Sequence, residues 1–291
     1  MRKFDRRVII PIIVFFLLVC LGAVGYLVFK NINIWQSDET YHQLQSTTAA
    51  SENGSENGSE NGQLNSSSET TVYPEGEDPS NVAPRVDNPI DFKTMLEINP
   101  EIYAWISIPD TNVDYPVAQS TEDDNFYLDH NIYKDYSFPG TIYSQSCNSR
   151  DWNDRVTLLY GHNMLNGSMF ATLHKFRDAD FFDSHPYFYI YTKDTKLTYE
   201  IVTAFDYDDR HIMNSYNFKD DAVFQDWIKE AKRPKDLYAN VRSSVALDLN
   251  SKFVVMSTCQ NWGTGRYLVQ GVLIKSEPTV LGEITKEIPE S

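Results

Sequence analysis

The chain has 291 residues, 41% of them hydrophobic, with three cysteines and a formal net charge of −16; its pI is near 4.7. So acidic a chain is repelled by phosphate backbones, which argues against a nucleic-acid partner, and three cysteines cannot all pair into a disulfide framework. No Cys or His pair has zinc-type spacing, so neither a metal site nor a cofactor is expected.

Residues 8–29 form an uncharged apolar run of about the length a helix needs to cross a bilayer. Arg2, Lys3, Arg6 and Arg7 precede it and Lys30 is the only close positive charge after it. The positive-inside rule therefore puts residues 1–7 in the cytoplasm and everything after residue 30 outside. A cleaved signal peptide would have a shorter run and an Ala-x-Ala site, so an uncleaved single-pass anchor is expected. From Ser37 to about Asn88, within a linker expected over residues 30–88, the composition turns to Ser, Glu, Asn, Gly and Thr, with three copies of Ser-Glu-Asn-Gly between Ser51 and Gly62. Such a tract buries too little apolar surface to offset its ordering entropy and reads as a flexible extracellular tether. Its reach is tens of ångströms, on the random-coil scale of ~5–6 Å times the square root of residue number.

Residues 89–291 read as the folded domain. It opens with a helical pattern, Asp91 to Ile98, with Phe92, Met95 and Leu96 apolar, ended by Asn99-Pro100. Strands are expected at 104–108, 113–117, 140–143, 156–160, 188–191, 197–205, 252–258 and 267–274. Many short strands separated by turn signals point to a barrel or sandwich. Between the fourth and the seventh of these, residues 219–232 form an amphipathic helix with Val223, Trp227 and Ile228 on one face, stopped by Pro234.

Chemistry concentrates at three strand ends. Phe253-Val-Val-Met-Ser-Thr-Cys259 runs an apolar strand into a thiol, and Arg266 heads the next strand seven residues later. Cysteine is a strong nucleophile only as thiolate, so a neighbouring cation or imidazole matters. Of the six histidines, His162 closes a strand-like run, Val156 to Tyr160, with Gly161 just before it. His42 lies in the polar tract, and His130, His174, His185 and His211 sit in aromatic or charged contexts. Asn125 and Asn163 are candidates for orienting His162, each also readable as structural. Trp262, in the Gly-rich turn between Cys259 and Arg266, is a candidate to cover a substrate. Cys20 lies in the apolar run, which leaves Cys147 and Cys259 as the one possible bridge outside the membrane, a pairing that would silence the nucleophile.

In order and spacing, Tyr160-Gly-His162-Asn-Met164, Ser257-Thr-Cys259 and Arg266-Tyr-Leu-Val269 resemble the sortases, and within them class B. Tyr103-Ala-Trp-Ile-Ser-Ile-Pro109, Thr111-Asn-Val-Asp-Tyr-Pro-Val117, Asn125-Phe-Tyr-Leu128 and Gly140-Thr-Ile-Tyr143 extend the resemblance over residues 90–276. Met256-Ser257 departs from the Thr-Leu-x-Thr-Cys of many sortases, which bears on substrate preference. The helix inserted between the His and Cys strands is similar to that of class B.

The resemblance implies a mainly β fold, an eight-stranded β-barrel of the sortase type with peripheral helices, preceded by one transmembrane helix. It also implies a cysteine transpeptidase at a Gram-positive cell surface, acting on secreted proteins that bear a C-terminal sorting signal. The signal is cut after its Thr, held as a thioester, and passed to a cell-wall amine on a peptidoglycan precursor, or alternatively to a pilin lysine. Mapped by motif, Cys259 is the nucleophile, His162 the acid for the leaving amine, and Arg266 the oxyanion or substrate-backbone donor. Two rivals remain. A plain thiol endopeptidase of the papain type would place Cys before His, and a non-catalytic surface adhesin would leave Cys259 buried.

Overall fold

The computed structural model describes residues 6–52, 71–72, 85–261 and 263–281. The Ser-Glu-Asn-Gly copies beyond Glu52, and Trp262, lie outside the described residues.

Helix α1 (Arg6–Glu52) is continuous over 47 residues. Its segment Val14–Gln45 is long and apolar enough to cross a membrane, with a hydropathy of 2.0 in its most apolar window. The helix does not stop at residue 29 but runs through the first part of the polar stretch. The physical reason is a stripe that bulk composition averages away. Ile34, Ser37, Tyr41 and Leu44 recur at helical spacing; Ser37, Tyr41 and Leu44 are buried, and Ile34 packs on the core. The Tyr41 hydroxyl donates to Gly140 O at 2.8 Å and meets Thr141 Oγ1 at 3.0 Å. Its ring packs edge-on against Tyr115, and Gln45 Nε2 donates to Asp114 O at 2.7 Å.

Beyond α1 the strands are β1 (Thr71–Val72), β2 (Arg85–Asn88), β3 (Ile102–Ser107), β4 (Asp114–Ala118), β5 (Ile142–Tyr143), β6 (Val156–Tyr160), β7 (Tyr187–Tyr191), β8 (Thr195–Tyr207), β9 (Asn240–Val241), β10 (Phe253–Cys259) and β11 (Arg266–Leu281). Pairing runs β11-β10-β6-β5-β4-β3-β7-β8, and β8 pairs again with β11. Those eight strands close into the expected barrel. Two short additions complete the sheet, β1–β2 on the far end of β11 and β9 on β8.

Helix α2 (Phe92–Ile98) starts on Asp91, whose carboxylate accepts from Thr94 N. It buries Phe92 and Met95 and leaves Leu96 at the surface. Short helices α3 (Ala179–Ser184) and α4 (Ile212–Ser215) and two 3₁₀ turns fill the connections. Helix α5 (Asp221–Lys232) is the inserted helix, capped by Asp220. Its buried face carries Phe224, Trp227, Ile228 and Ala231, whereas Val223 is only half-buried, so the stripe is rotated slightly from the sequence expectation.

This helix explains why β10 reads as a continuous apolar run. Val254 and Met256 point into the barrel, while the alternate residues Phe253 and Val255 join Phe224, Trp227 and Ile228 outside it. A strand covered on both faces needs apolar side chains at every position. Each large side chain buried there contributes roughly 1.5–3 kcal/mol, which holds the site-bearing strand rigid.

Candidate active site

Strands β6 and β10 are parallel neighbours with Tyr160 opposite Ser257. Two residues further along each, His162 and Cys259 reach the same rim. Gly161 carries the pairing past β6 by donating its N–H to Ser257 O at 3.2 Å. Glycine is required there, because a Cβ would stand 2.5 Å from Ile142 Cδ1 and 2.7 Å from the Phe170 ring. β11 returns antiparallel on the other side of β10, with Arg266 directly across from Cys259. His162, Cys259 and Arg266 thus terminate three consecutive strands of one barrel rim.

The Cys259 thiol is exposed and unbridged, as is that of Cys147. Arg266 Nη1 donates to Cys259 Sγ at 3.4 Å, which places a fixed cation beside the sulfur. The His162 ring stacks on Phe138 at 5.7 Å, and its Nε2 lies 2.9 Å from Leu128 O. A carbonyl only accepts, so Nε2 bears the hydrogen and Nδ1 is the nitrogen left to exchange a proton. Burial pushes His162 below the usual histidine range and the Arg266 charge adds to this, against the upward pull of Leu128 O and Asp129. Burial pushes the Cys147 thiol up, reinforced by Asp124, so it is a poor competing nucleophile.

Behind Cys259 stands a network that motif spacing does not reveal. The Cys259 carbonyl accepts from Asn163 Nδ2 at 3.1 Å and lies 3.0 Å from His174 Nε2. His174 Nδ1 accepts from Arg177 Nε at 3.2 Å, and since a guanidinium only donates, the hydrogen of neutral His174 sits on Nε2, facing the carbonyl. Arg177 is forked onto Asp206 through Nη1–Oδ2 at 2.8 Å and a second arm from Nη2 to Oδ1. It also covers the Tyr267 ring at 4.2 Å, on which His174 stacks. Burial, then the Arg177 charge, keeps His174 below its usual range.

Asn163 therefore serves Cys259 rather than His162. Asn125 is likewise not on His162: it precedes a 3₁₀ turn and its Oδ1 accepts from Gln145 Nε2. In sequence His174 has no strand-end position; Arg177 lies three residues on in the same 3₁₀ turn, whereas Asp206 lies on β8, so only the closed barrel brings Asp206 and the Cys259 carbonyl to the pair. Among the described residues no group of three or more His, Cys, Asp or Glu is placed to hold a metal ion.

A family profile described as the sortase domain matches residues 106–274. The chain is 30% identical over 206 residues to a sortase B of Listeria monocytogenes, a match covering 70% of this chain and 81% of that one. It superposes on the crystal structure of Clostridium perfringens sortase B with a TM-score of 0.58 at 30% identity, covering 64% of this chain and 100% of that one. A Streptococcus pyogenes class B sortase involved in pilus biogenesis superposes with a TM-score of 0.55 at 28% identity, covering 64% and 98%.

Proposed function

The chain belongs to class B of the sortases, a family of cysteine transpeptidases, and from that premise we propose that it is a membrane-anchored enzyme joining secreted proteins to a cell-wall amine. The observation that carries the reading is the Arg266 guanidinium on the Cys259 sulfur, at a rim that also ends in His162. In this reading α1 is the anchor and residues after the span lie outside the cell, which the excess of positive charge before the span supports.

In the proposed reaction the Cys259 thiolate attacks the carbonyl carbon of the sorting-signal Thr. Arg266, released from the sulfur as its charge moves to substrate, faces the developing oxyanion, a contribution on the scale of one donor, ~10²–10³-fold. The C–N bond breaks as protonated His162 gives its proton to the leaving amine. The acceptor amine then loses a proton to His162 and attacks the thioester, which expels the Cys259 thiolate and forms the new amide. His162 must be protonated in the first step, yet burial disfavours its charge. The productive form is thus a minority species at neutral pH.

The adhesin reading requires a buried Cys259, whereas the thiol is exposed. A pilin lysine as acceptor is the second reading, raised by the likeness to the pilus-related relative.

The test is to incubate the full chain in detergent with peptides carrying Asn-Pro-x-Thr or Leu-Pro-x-Thr-Gly signals, with and without an amine, and to follow products by mass spectrometry. An amine-dependent ligated product supports transpeptidation. Hydrolysis unchanged by every amine supplied favours the endopeptidase.

A further inference from the structure

Resting on the reading of α1 as the membrane anchor, we propose that the catalytic domain is seated on the outer surface of the same bilayer. The loop 131–138, led by Tyr133 and Tyr136, lies in the lipid headgroup zone, and the His162 rim stands at the membrane surface.

Helix geometry fixes the depth. At ~1.5 Å per residue the run 8–29 spans about 33 Å, the thickness of a hydrocarbon core, so Phe29 marks the outer boundary and Lys30 enters the headgroups. No spacer follows. Lys30 Nζ already lies 4.2 Å from the centre of the Phe138 ring, and Phe138 stacks on the His162 imidazole. The helix then stays docked for four further turns. Ser37, Tyr41 and Leu44 are buried, Asn166 Nδ2 donates to Asp38 at 2.5 Å, and Gln45 is bonded to β4. An unbroken helix that is fixed to the domain along this length sets the domain's height and angle, which a flexible tether would leave free.

The surface from that height outward has the chemistry of an interfacial seat. A cleft of about 420 Å³ opens between α1 and the loop, lined on the α1 side from Asn33 to Gln43, with Asn33 and Trp35 at its membrane end, and on the loop side by Tyr133 and Tyr136 among others. The three aromatic residues are 67%, 50% and 53% exposed, and Trp and Tyr, apolar in body and polar at the tip, concentrate at membrane interfaces. Glu39 and Asp135 also line the cleft, and Lys134 is drawn to Glu101 at 2.9 Å. The surface therefore offers little surplus positive charge for anionic lipid, and zwitterionic headgroups fit it. Substrates held in the same membrane would reach the rim by lateral diffusion.

The experiment uses the full chain in phosphatidylcholine vesicles, with photoreactive benzoylphenylalanine placed singly at positions 32, 42, 133 or 136. Ile32, just past the span, reports whether α1 is in the membrane. His42, about 20 Å beyond the boundary along α1, is the negative control. The expected result is phosphatidylcholine adducts at 32, 133 and 136 and none at 42, with the adducts at 133 and 136 lost and that at 32 kept in Tyr41→Ala/Leu44→Ala, which undocks the helix. Adducts at 32 alone in the otherwise unsubstituted chain would overturn the seat and leave the anchor standing. Absence of adducts at 32, with the chain washed off by alkaline carbonate, would overturn the anchor and the seat together. Adducts at 133 or 136 only to another protein chain would assign the surface to a protein partner and overturn the lipid proposal.

Discussion

Replacing Arg177 by methionine separates positioning of the proposed nucleophile, Cys259, from simple stability. The fork to Asp206 is about one-third exposed on each side, so its loss costs no more than ~1 kcal/mol, and loss of the cation–π contact with Tyr267 adds ~0.5–1 kcal/mol. For a domain of this size the melting temperature should fall by roughly 1–8 °C, at about 2–4 °C per kcal/mol. The catalytic effect has a different origin. Without Arg177 Nε–H, neutral His174 is free to carry its hydrogen on Nδ1, which turns a bare Nε2 lone pair toward the Cys259 carbonyl.

Losing that one hydrogen bond is worth about 1–1.5 kcal/mol, or roughly tenfold in kcat/KM if felt fully in the transition state. The deficit should depend on pH. Arg177 holds the His174 pKa down, so in Arg177→Met, where Asp206, Asn163 and Tyr267 still face the ring, that pKa rises. Once protonated, His174 donates from Nε2 whichever tautomer it came from. The ratio of wild-type to variant kcat/KM, measured on a quenched sorting peptide from pH 8 down to 5.5, should therefore shrink toward unity. A ratio that stays constant with pH, or a variant as active as wild type at pH 8, would refute the positioning argument.

Other expectations follow from the same coordinates. In Cys259→Ala, NMR should place the His162 midpoint below 6.5, and adding Arg266→Gln should raise it, because a repelling charge is removed; an unchanged or lower midpoint would contradict the coupling. Burial opposes ionisation of Glu101, but hydrogen bonds from Tyr127, Lys134 and Thr121 overrule it and hold the carboxyl at about 2. With an unfolded value near 4.5, that stability is present above 4.5 and is lost as pH falls toward 2. Glu101→Gln should cost up to roughly 3 kcal/mol in urea unfolding at pH 7, with the gap from wild type narrowing through the same window. A chain beginning at residue 85 should unfold more readily than one beginning at residue 30 by about 3–6 kcal/mol, since Tyr41 and Leu44 each bury a large side chain; equal stability would mean that α1 is not docked.

The barrel was legible in sequence because its strands obey local rules. Residues 156–160 are β6 to the residue, and β10 coincides with the apolar run Phe253–Cys259, one position on from the expected 252–258. The rim was legible because parallel pairing of β6 with β10, and antiparallel pairing of β10 with β11, preserves strand-end order in space. Two things were hidden. The extension of α1 is a sparse stripe within a polar composition, stabilised only by the domain it docks against. His174 and Arg177 share one 3₁₀ turn, but the contacts that join them to Asp206 on β8 and to the end of β10 exist only after barrel closure.

The most direct test of the central claim is intact-protein and peptide-mapping mass spectrometry of the full chain quenched with acid during turnover of a cleaved sorting peptide. The account predicts an acyl adduct ending in the signal's Thr, mapped to Cys259, sensitive to hydroxylamine, absent in Cys259→Ala, and discharged when the acceptor amine is added. Turnover that persists in Cys259→Ala, or an adduct mapped to Cys147, would contradict it.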